Sequence, residues 1–201
     1  MSVRNGTAAL TRDVALLERA MGYTLGSLVL VTPDAMANPT PCSGWDLRAL
    51  LLHMNDSLLT LHEAITMGRL DLVAAASPDA DYGDPGRDPV GCLRNRACQM
   101  IGSWAAGAEQ PRQIAIADRE LGAGLVAATG ALEVAVHGWD VARACRVDRP
   151  VPAALADELL VLGSLLVGAD DRPARFADPV VLPGPASASD HLVALLGRRP
   201  S

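Results

Sequence analysis

Apolar residues near the start of the chain recur at the three- and four-residue spacing of a helix face. Val14, Leu17, Met21, Leu25 and Leu28 form one such stripe and predict a helix from about Ala8 to Val31. Gly22 and Gly26 fall inside it and weaken it locally. A second stripe, Leu47, Leu50, Leu51, Met54, Leu58 and Leu61, predicts a helix from about Asp46 to Met67. Between the two, Asn38-Pro39-Thr40-Pro41-Cys42-Ser43-Gly44 reads as a turn. Further helices are expected from about Val90 to Ala108, Gly122 to Cys145 and Ala153 to Gly168. Residues 77–91, rich in Pro, Gly and Asp, read as a long loop. The alternation of Gln113 to Ala117 predicts a short strand, and Pro179 to Leu182 is a second strand candidate in an extended tail. Ser187 or Ser189 can cap a last short helix ending near Gly197. Four or five amphipathic helices with long connections describe a mainly all-α helical bundle. Residues 1–170 are expected to form it, with 171–201 an extended segment and short helix packed on the same domain.

Composition supports helices. Of 201 residues, half are hydrophobic and 20% are charged, which excludes a disordered scaffold. One Phe, two Tyr and three Trp leave the core to Leu, Val and Ala, and leave few rings on which bases could stack. The net charge of −6 has the wrong sign for a phosphate-backbone binder, so no nucleic-acid partner is expected. All 17 basic residues are Arg, which excludes Schiff-base and Walker-type lysine chemistry. Cys42, Cys92, Cys98 and Cys145 form no C-x-x-C pair and read as buried thiols in a reducing cytoplasm. The start of the chain lacks a signal-peptide pattern, and no apolar run reaches the ~20 residues that span a bilayer.

The densest chemistry lies in the fourth helix, in LEVAVHGWDVARA (132–144). Its main apolar stripe is expected to be Leu125, Ala128, Leu132, Val136 and Trp139. Glu133 and His137, four apart, stack one turn from each other on the flank of that stripe, with Asp140 beside them. A carboxylate among small and apolar neighbours must have a partner or stay neutral, and a metal shared with His137 would be such a partner. A third ligand can come from His53, which stands at the border of the second helix's stripe. His62 is about half a turn round the same helix and abuts Glu63, so it reads as solvated. Blander readings fit the same residues. A border histidine is also what a packed histidine with one hydrogen bond looks like, and a Glu–His pair is also a surface pair. Cys92 and Cys98 read as core. The glycines of Gly122 to Gly130 match no G-x-G-x-x-G pattern and read as packing or helix-start glycines.

Two longer motifs add a resemblance. Thr40-Pro41-Cys42-Ser43-Gly44-Trp45-Asp46-Leu47-Arg48, followed by Leu50-Leu51-Leu52-His53, resembles the T-P-C-x-G-W-x-[VL]-R-x-L-x-x-H motif of the mycothiol-dependent maleylpyruvate isomerase family, within the DinB/YfiT-like superfamily. Glu133, His137, Gly138, Trp139, Asp140, Val141, Ala142, Arg143 and Ala144 resemble its second signature, E-x-x-x-H-G-W-D-[LV]-A-R-A. The segment from Arg175-Phe176 to Arg198 is similar to the family's C-terminal part. The resemblance implies an antiparallel four-helix bundle with a divalent metal held by His53, Glu133 and His137. One departure is Asp190-His191-Leu192, where relatives usually carry Asp-Arg-Leu, so a titratable group replaces a fixed charge.

Two imidazoles and a carboxylate leave a divalent metal with open positions. Zinc is the first expectation, with nickel, iron or manganese as alternatives. The resemblance implies that a low-molecular-weight thiol such as mycothiol attacks a small-molecule electrophile or carbonyl substrate. The outcome would be S-transfer or cis–trans isomerisation. Asp140 is a candidate proton acceptor or a support for His137, and Trp45, Trp139 and Arg143 are candidate pocket residues. A thiol-independent isomerase, cyclase or lyase and a non-catalytic binding protein are the other two function classes. A monomer or homodimer without membrane partners is expected.

Overall fold

The computed structural model describes residues 2–70, 83–107, 113–116, 119–172 and 176–200. Among these residues six α-helices carry the fold: α1 (Ser2–Leu28), α2 (Leu47–Met67), α3 (Pro89–Gly107), α4 (Ala123–Ala144), α5 (Ala153–Leu166) and α6 (Ala188–Leu195). Three short strands, β1 (Arg69–Leu70), β2 (Gln113–Ile116) and β3 (Arg119–Gly122), form a small sheet. β1 pairs parallel to β2, and β2 pairs antiparallel to β3. The protein is thus mainly helical, consistent with an all-α DinB-like bundle. No helix among the described residues is long and apolar enough to cross a membrane. Residues 77–82 of the acidic loop expected at 77–91 lie outside the described residues, as does Arg175, and the loop ends earlier than expected because α3 begins at Pro89.

Packing divides the chain into two compact units, each assembled from separated segments: residues 1–18 with 48–130, and residues 19–47 with 131–201. In the first unit the α2 stripe is buried as its spacing predicts, from Leu50 and Leu51 through Met54 and Leu58 to Leu61, and Ala64 and Ile65 extend the buried face beyond it. Leu93, Ala97, Met100 and Trp104 of α3 are buried in the same unit. Asn55 is fully buried, and its amide donates to the carbonyls of Leu51 and Pro89, 2.9 Å each, tying the middle of α2 to the first residue of α3. Gly130 gives α4 close access to α2, since a Cβ there would stand 2.7 Å from Leu61 Cδ1.

The second unit is organised round Arg149, in the connection between α4 and α5. Its guanidinium donates to the Tyr23 carbonyl (2.8 Å) and the Ser27 hydroxyl (2.9 Å), and lies 4.4 Å from the Tyr23 ring centre. The Tyr23 hydroxyl donates in return to the Arg149 carbonyl at 2.6 Å. Gly26 leaves room for this head group, because any Cβ at that position would meet it. On α4, Gly138 plays a comparable part: a Cβ there would meet Thr24 Oγ1 and lie 3.1 Å from Thr24 Cα. The backbones of α1 and α4 therefore approach closely, and Thr24 Oγ1 donates to the Val134 carbonyl at 2.7 Å. Gly163 brings α5 against Leu195 of α6 in the same manner.

Burial pushes the Tyr23 hydroxyl up to about 12 from its ordinary 10, the Arg149 charge only partly opposing it. The raised group favours the neutral form in the folded state, so its contribution is intact below pH 10 and is lost as pH climbs towards 12. Chemical denaturation across that range should show a loss of on the order of 2 kcal/mol. Tyr23→Phe should be less stable at neutral pH and lack that part of the alkaline slope. A parental slope in the variant would remove Tyr23 as its source.

Several sequence expectations need correction. Pro179 to Leu182 is not a strand; the Val180 amide makes a single bond to the Ala194 carbonyl at 2.9 Å. Leu125 is 40% exposed, whereas Ala128, Leu132, Val136 and Trp139 of its expected stripe are buried; α4 is buried on its other sides as well beyond Leu125, so it has no single apolar stripe. Cys98 is exposed, while Cys92 is buried and Cys42 and Cys145 are half-buried. His62 is half-buried rather than solvated. β1 and β3 escaped the sequence reading because β1 has only two residues and the Arg-Glu-Leu-Gly of β3 does not alternate.

Candidate functional site

The second unit gathers Cys42, His137, Asp140 and Arg198 round one buried carboxylate. Asp140 is completely buried. Its Oδ2 accepts from Arg198 Nη2 at 2.9 Å, lies 3.0 Å from His137 Nδ1, and accepts from the Cys42 thiol at 3.3 Å. Its Oδ1 accepts from Arg198 Nε at 3.3 Å. Three short stretches of chain deliver these side chains.

Cys42 arrives on the turn that the Pro and Gly content predicts. The Thr40 amide bonds the Trp45 carbonyl (3.1 Å), the Leu47 amide bonds the Asn38 carbonyl (2.9 Å), and Gly44 takes the positive φ of 82° that closes the turn. The Asn38 amide side chain donates to the Ala144 carbonyl at 2.9 Å, one of the carbonyls left open at the end of α4. That bond pins the turn at the end of the helix that carries Asp140.

His137 and Asp140 lie three apart on α4 and so face the same way. Arg198 follows α6, whose start is a capping box between Ser187 and Asp190 and whose end is a Schellman motif. The Arg198 amide bonds the Val193 carbonyl (2.9 Å), the Gly197 amide bonds the Ala194 carbonyl (3.0 Å), and Gly197 holds φ at 82°. Arg198 Nη1 also donates to the Leu196 carbonyl at 2.9 Å. The guanidinium is thereby aimed before it reaches Asp140.

Burial alone would raise the Asp140 carboxyl, but the His137 hydrogen bond and the Arg198 charge outweigh it and hold the group below its ordinary range. Asp140 is therefore an anion at neutral pH. For Arg198, burial works against the charge and Asp140 more than restores it. Burial, then the Asp140 charge, push the Cys42 thiol up to about 12, so Cys42 is a thiol donor here and not a thiolate nucleophile.

The donor chemistry can be tested for fit to a divalent ion. Cys42, His137 and Asp140 offer ligand atoms within 4.8 Å of one another. A guanidinium already occupies two faces of that cluster, 2.9 Å from Asp140 Oδ2 and 3.3 Å from Cys42 Sγ, so it is a charge network and not a cation cage. His137 itself fits a metal well. With Nδ1–H donating to an ionised carboxylate, Nε2 carries the lone pair, as in histidines that bind metals. Glu133 lies one turn before His137 on α4 and is half-buried. His53 lies on α2 and is half-buried.

A comparison with protein families matches the description "Mycothiol maleylpyruvate isomerase N-terminal domain" over residues 17–142. The chain belongs to this family. Membership in the mycothiol maleylpyruvate isomerase N-terminal domain family points to a mycothiol-related, isomerase- or transferase-like function and to a thiol cofactor. No curated protein and no solved structure matches the chain. The family match covers Cys42, His53, Glu133, His137 and Asp140 and stops short of Arg198.

The other expected site residues sit as follows. Trp45 is 37% exposed on the Cys42 turn. Trp139 is buried, and the Arg143 guanidinium lies 5.6 Å from its ring centre, an i, i+4 cation–π pair in the last turn of α4. His191 is exposed on α6. Cys42 and Arg198 were not singled out as site residues from the sequence. For Cys42 the signal was present in the motif that carries it. Arg198 stood at the end of the family-like C-terminal segment, after a glycine that marks a helix end, but nothing there tied it to Asp140.

Proposed function

We propose that the protein is a metal-dependent, thiol-using transferase or isomerase in which His53, Glu133 and His137 hold a divalent ion, zinc being the first choice. The observation that carries the reading is the Asp140–His137 hydrogen bond, which puts the ring proton on Nδ1 and so makes Nε2 the donor atom, as in histidines that bind metals. Glu133, one turn away on the same helix, and His53, in the position of the family's histidine motif, complete the donor set. When bound, the ion would supply Lewis-acid polarisation of a thiol or carbonyl.

The chain's own residues then have separate tasks. His137 presents Nε2. Asp140 accepts the Nδ1 proton and holds the ring in place. Arg198 keeps Asp140 ionised. Trp45, Trp139 and Arg143 are assigned to the pocket wall. The substrate is a small electrophile, and the cosubstrate is a low-molecular-weight thiol such as mycothiol. The net reaction is S-transfer, or cis–trans isomerisation by thiol addition and elimination.

Elemental mass spectrometry of tag-free protein tests the reading. Near-stoichiometric metal is expected in the parent and is expected to be absent from His53→Ala and His137→Ala. Turnover of an electrophile should then need both the metal and an added thiol. A parent that takes up no zinc, nickel, iron or manganese would overturn the reading, and turnover without thiol would replace it with a thiol-independent isomerase, cyclase or lyase.

A further inference from the structure

Asp140 faces its neighbours in an unequal way. Arg198 meets both of its oxygens through Nε and Nη2, a fork that matches the plane of a carboxylate. His137 meets only Oδ2. A carboxylate held by one hydrogen bond can swing about its Cβ–Cγ bond, whereas one gripped by a planar fork keeps a single orientation. The direction in which Oδ2 receives the His137 proton is therefore set by Arg198. Arg198 is itself fixed by a third nitrogen on the Leu196 carbonyl and by the Schellman backbone before it. The preceding residue admits no side chain, because a Cβ on Gly197 would stand 2.7 Å from the Ala177 carbonyl oxygen. Cys42 Sγ fills the remaining approach to Oδ2, receiving Arg198 Nη2 at 3.3 Å and donating to Oδ2 at 3.3 Å. The order of control runs from the end of α6, through Arg198 and Asp140, to the ring of His137.

We propose that Arg198 is a positioning residue for His137: by clamping the Asp140 carboxylate it keeps the imidazole in the Nδ1–H tautomer and in the one rotation that points Nε2 at a metal. The role rests on His137 being a metal ligand, as proposed above. It extends the site beyond residues 17–142, to a residue that touches neither metal nor substrate. Lysine cannot replace it fully, since an ammonium offers a point charge without the fork.

The test uses Arg198→Met, Arg198→Lys and the double variant Asp140→Asn/Arg198→Met. The double variant leaves no unpaired buried charge and keeps the experiment open if Arg198→Met does not fold. Long-range proton–nitrogen correlation spectra of zinc-free, nitrogen-15-labelled protein report the His137 tautomer, its signals assigned by their loss in His137→Ala. Competition with a chromophoric chelator at one fixed pH and salt reports the zinc affinity. The parent should hold His137 as a single Nδ1–H tautomer. Arg198→Met and the double variant should show a mixture, with zinc affinity down roughly ten- to hundredfold. Arg198→Lys should fall between, and circular dichroism should stay parental in every variant scored.

A folded Arg198→Met protein with a pure Nδ1–H tautomer and parental zinc affinity overturns the proposal while leaving the metal site standing. A parent that binds no zinc, but whose His137 tautomer changes on loss of Arg198, has the opposite meaning. It supports the coupling of Arg198 to His137 and overturns the metal reading.

Discussion

Asp140→Ala is expected to lower folding stability by about 3–5 kcal/mol, because it strands the buried Arg198 guanidinium without its counter-charge. The network gives the reason for so large a value. Arg198 is nine-tenths buried, and Asp140 takes two of its hydrogen bonds and is its salt-bridge partner. Removing the carboxylate leaves Arg198 the Leu196 carbonyl and the weakly accepting Cys42 sulfur. Arg198→Met should also be costly, since it leaves the buried anion without its counter-charge and with only His137 and Cys42 as hydrogen-bond partners. The double variant Asp140→Ala/Arg198→Met should be much less destabilised than the sum of the two, with a coupling of more than about 1 kcal/mol. Urea denaturation of the four proteins measures it. Additive losses would mean that the two groups do not depend on each other in the folded state.

Gly138→Ala should cost about 1–3 kcal/mol, the range of overpacked positions. Alanine normally favours a helix over glycine by about 1 kcal/mol, so the sign here is decided by space. The new methyl would run into Thr24 Oγ1 and lie 3.1 Å from Thr24 Cα, and a backbone atom cannot rotate away. The loss should shrink in a Thr24→Ala background, where the hydroxyl is gone, but not vanish. Gly22 supplies the control. It lies exposed in α1, and a methyl added there would meet nothing within 4 Å, so Gly22→Ala should stabilise by about 0.5–1 kcal/mol. Thermal melts of the three single variants and the double variant suffice. A stabilising Gly138→Ala would mean that α1 and α4 do not approach as closely as Gly138 and Thr24 indicate.

The helices were legible because apolar spacing is a local property. The boundaries of α2, α3 and α4 fall within about two residues of their expected positions, and Ser187 does cap α6. α1 begins earlier than its stripe, at Ser2, since the first residues carry no apolar repeat by which to recognise a helix. The shared face of His137 and Asp140 was legible for the same reason, since three residues on a helix set a direction. The clamp on Asp140 was not. Its partner is 58 residues away, and no periodicity or motif links a carboxylate to an arginine at that distance. Cys42 shows the intermediate case: its motif was visible, but the thiol's direction depends on Asn38 reaching the end of α4. Gly138 read as part of a signature, and only the proximity of Thr24 explains why a side chain is excluded there.

The separation of Asp140 from Arg198 also orders events during synthesis. At about 5–20 residues per second, the ribosome would add the arginine about 3–12 s after the aspartate. Through that interval the nascent chain holds a carboxylate whose native burial has no counter-ion to support it, so the second half of α4 cannot dock early without a penalty. The segments that complete the second unit, residues 19–47 and 131–201, are likewise separated by the whole of residues 48–130. Translation therefore finishes the first unit's segments before the second can close, and the contact between Arg198 and Asp140 cannot form until residue 198 has been added.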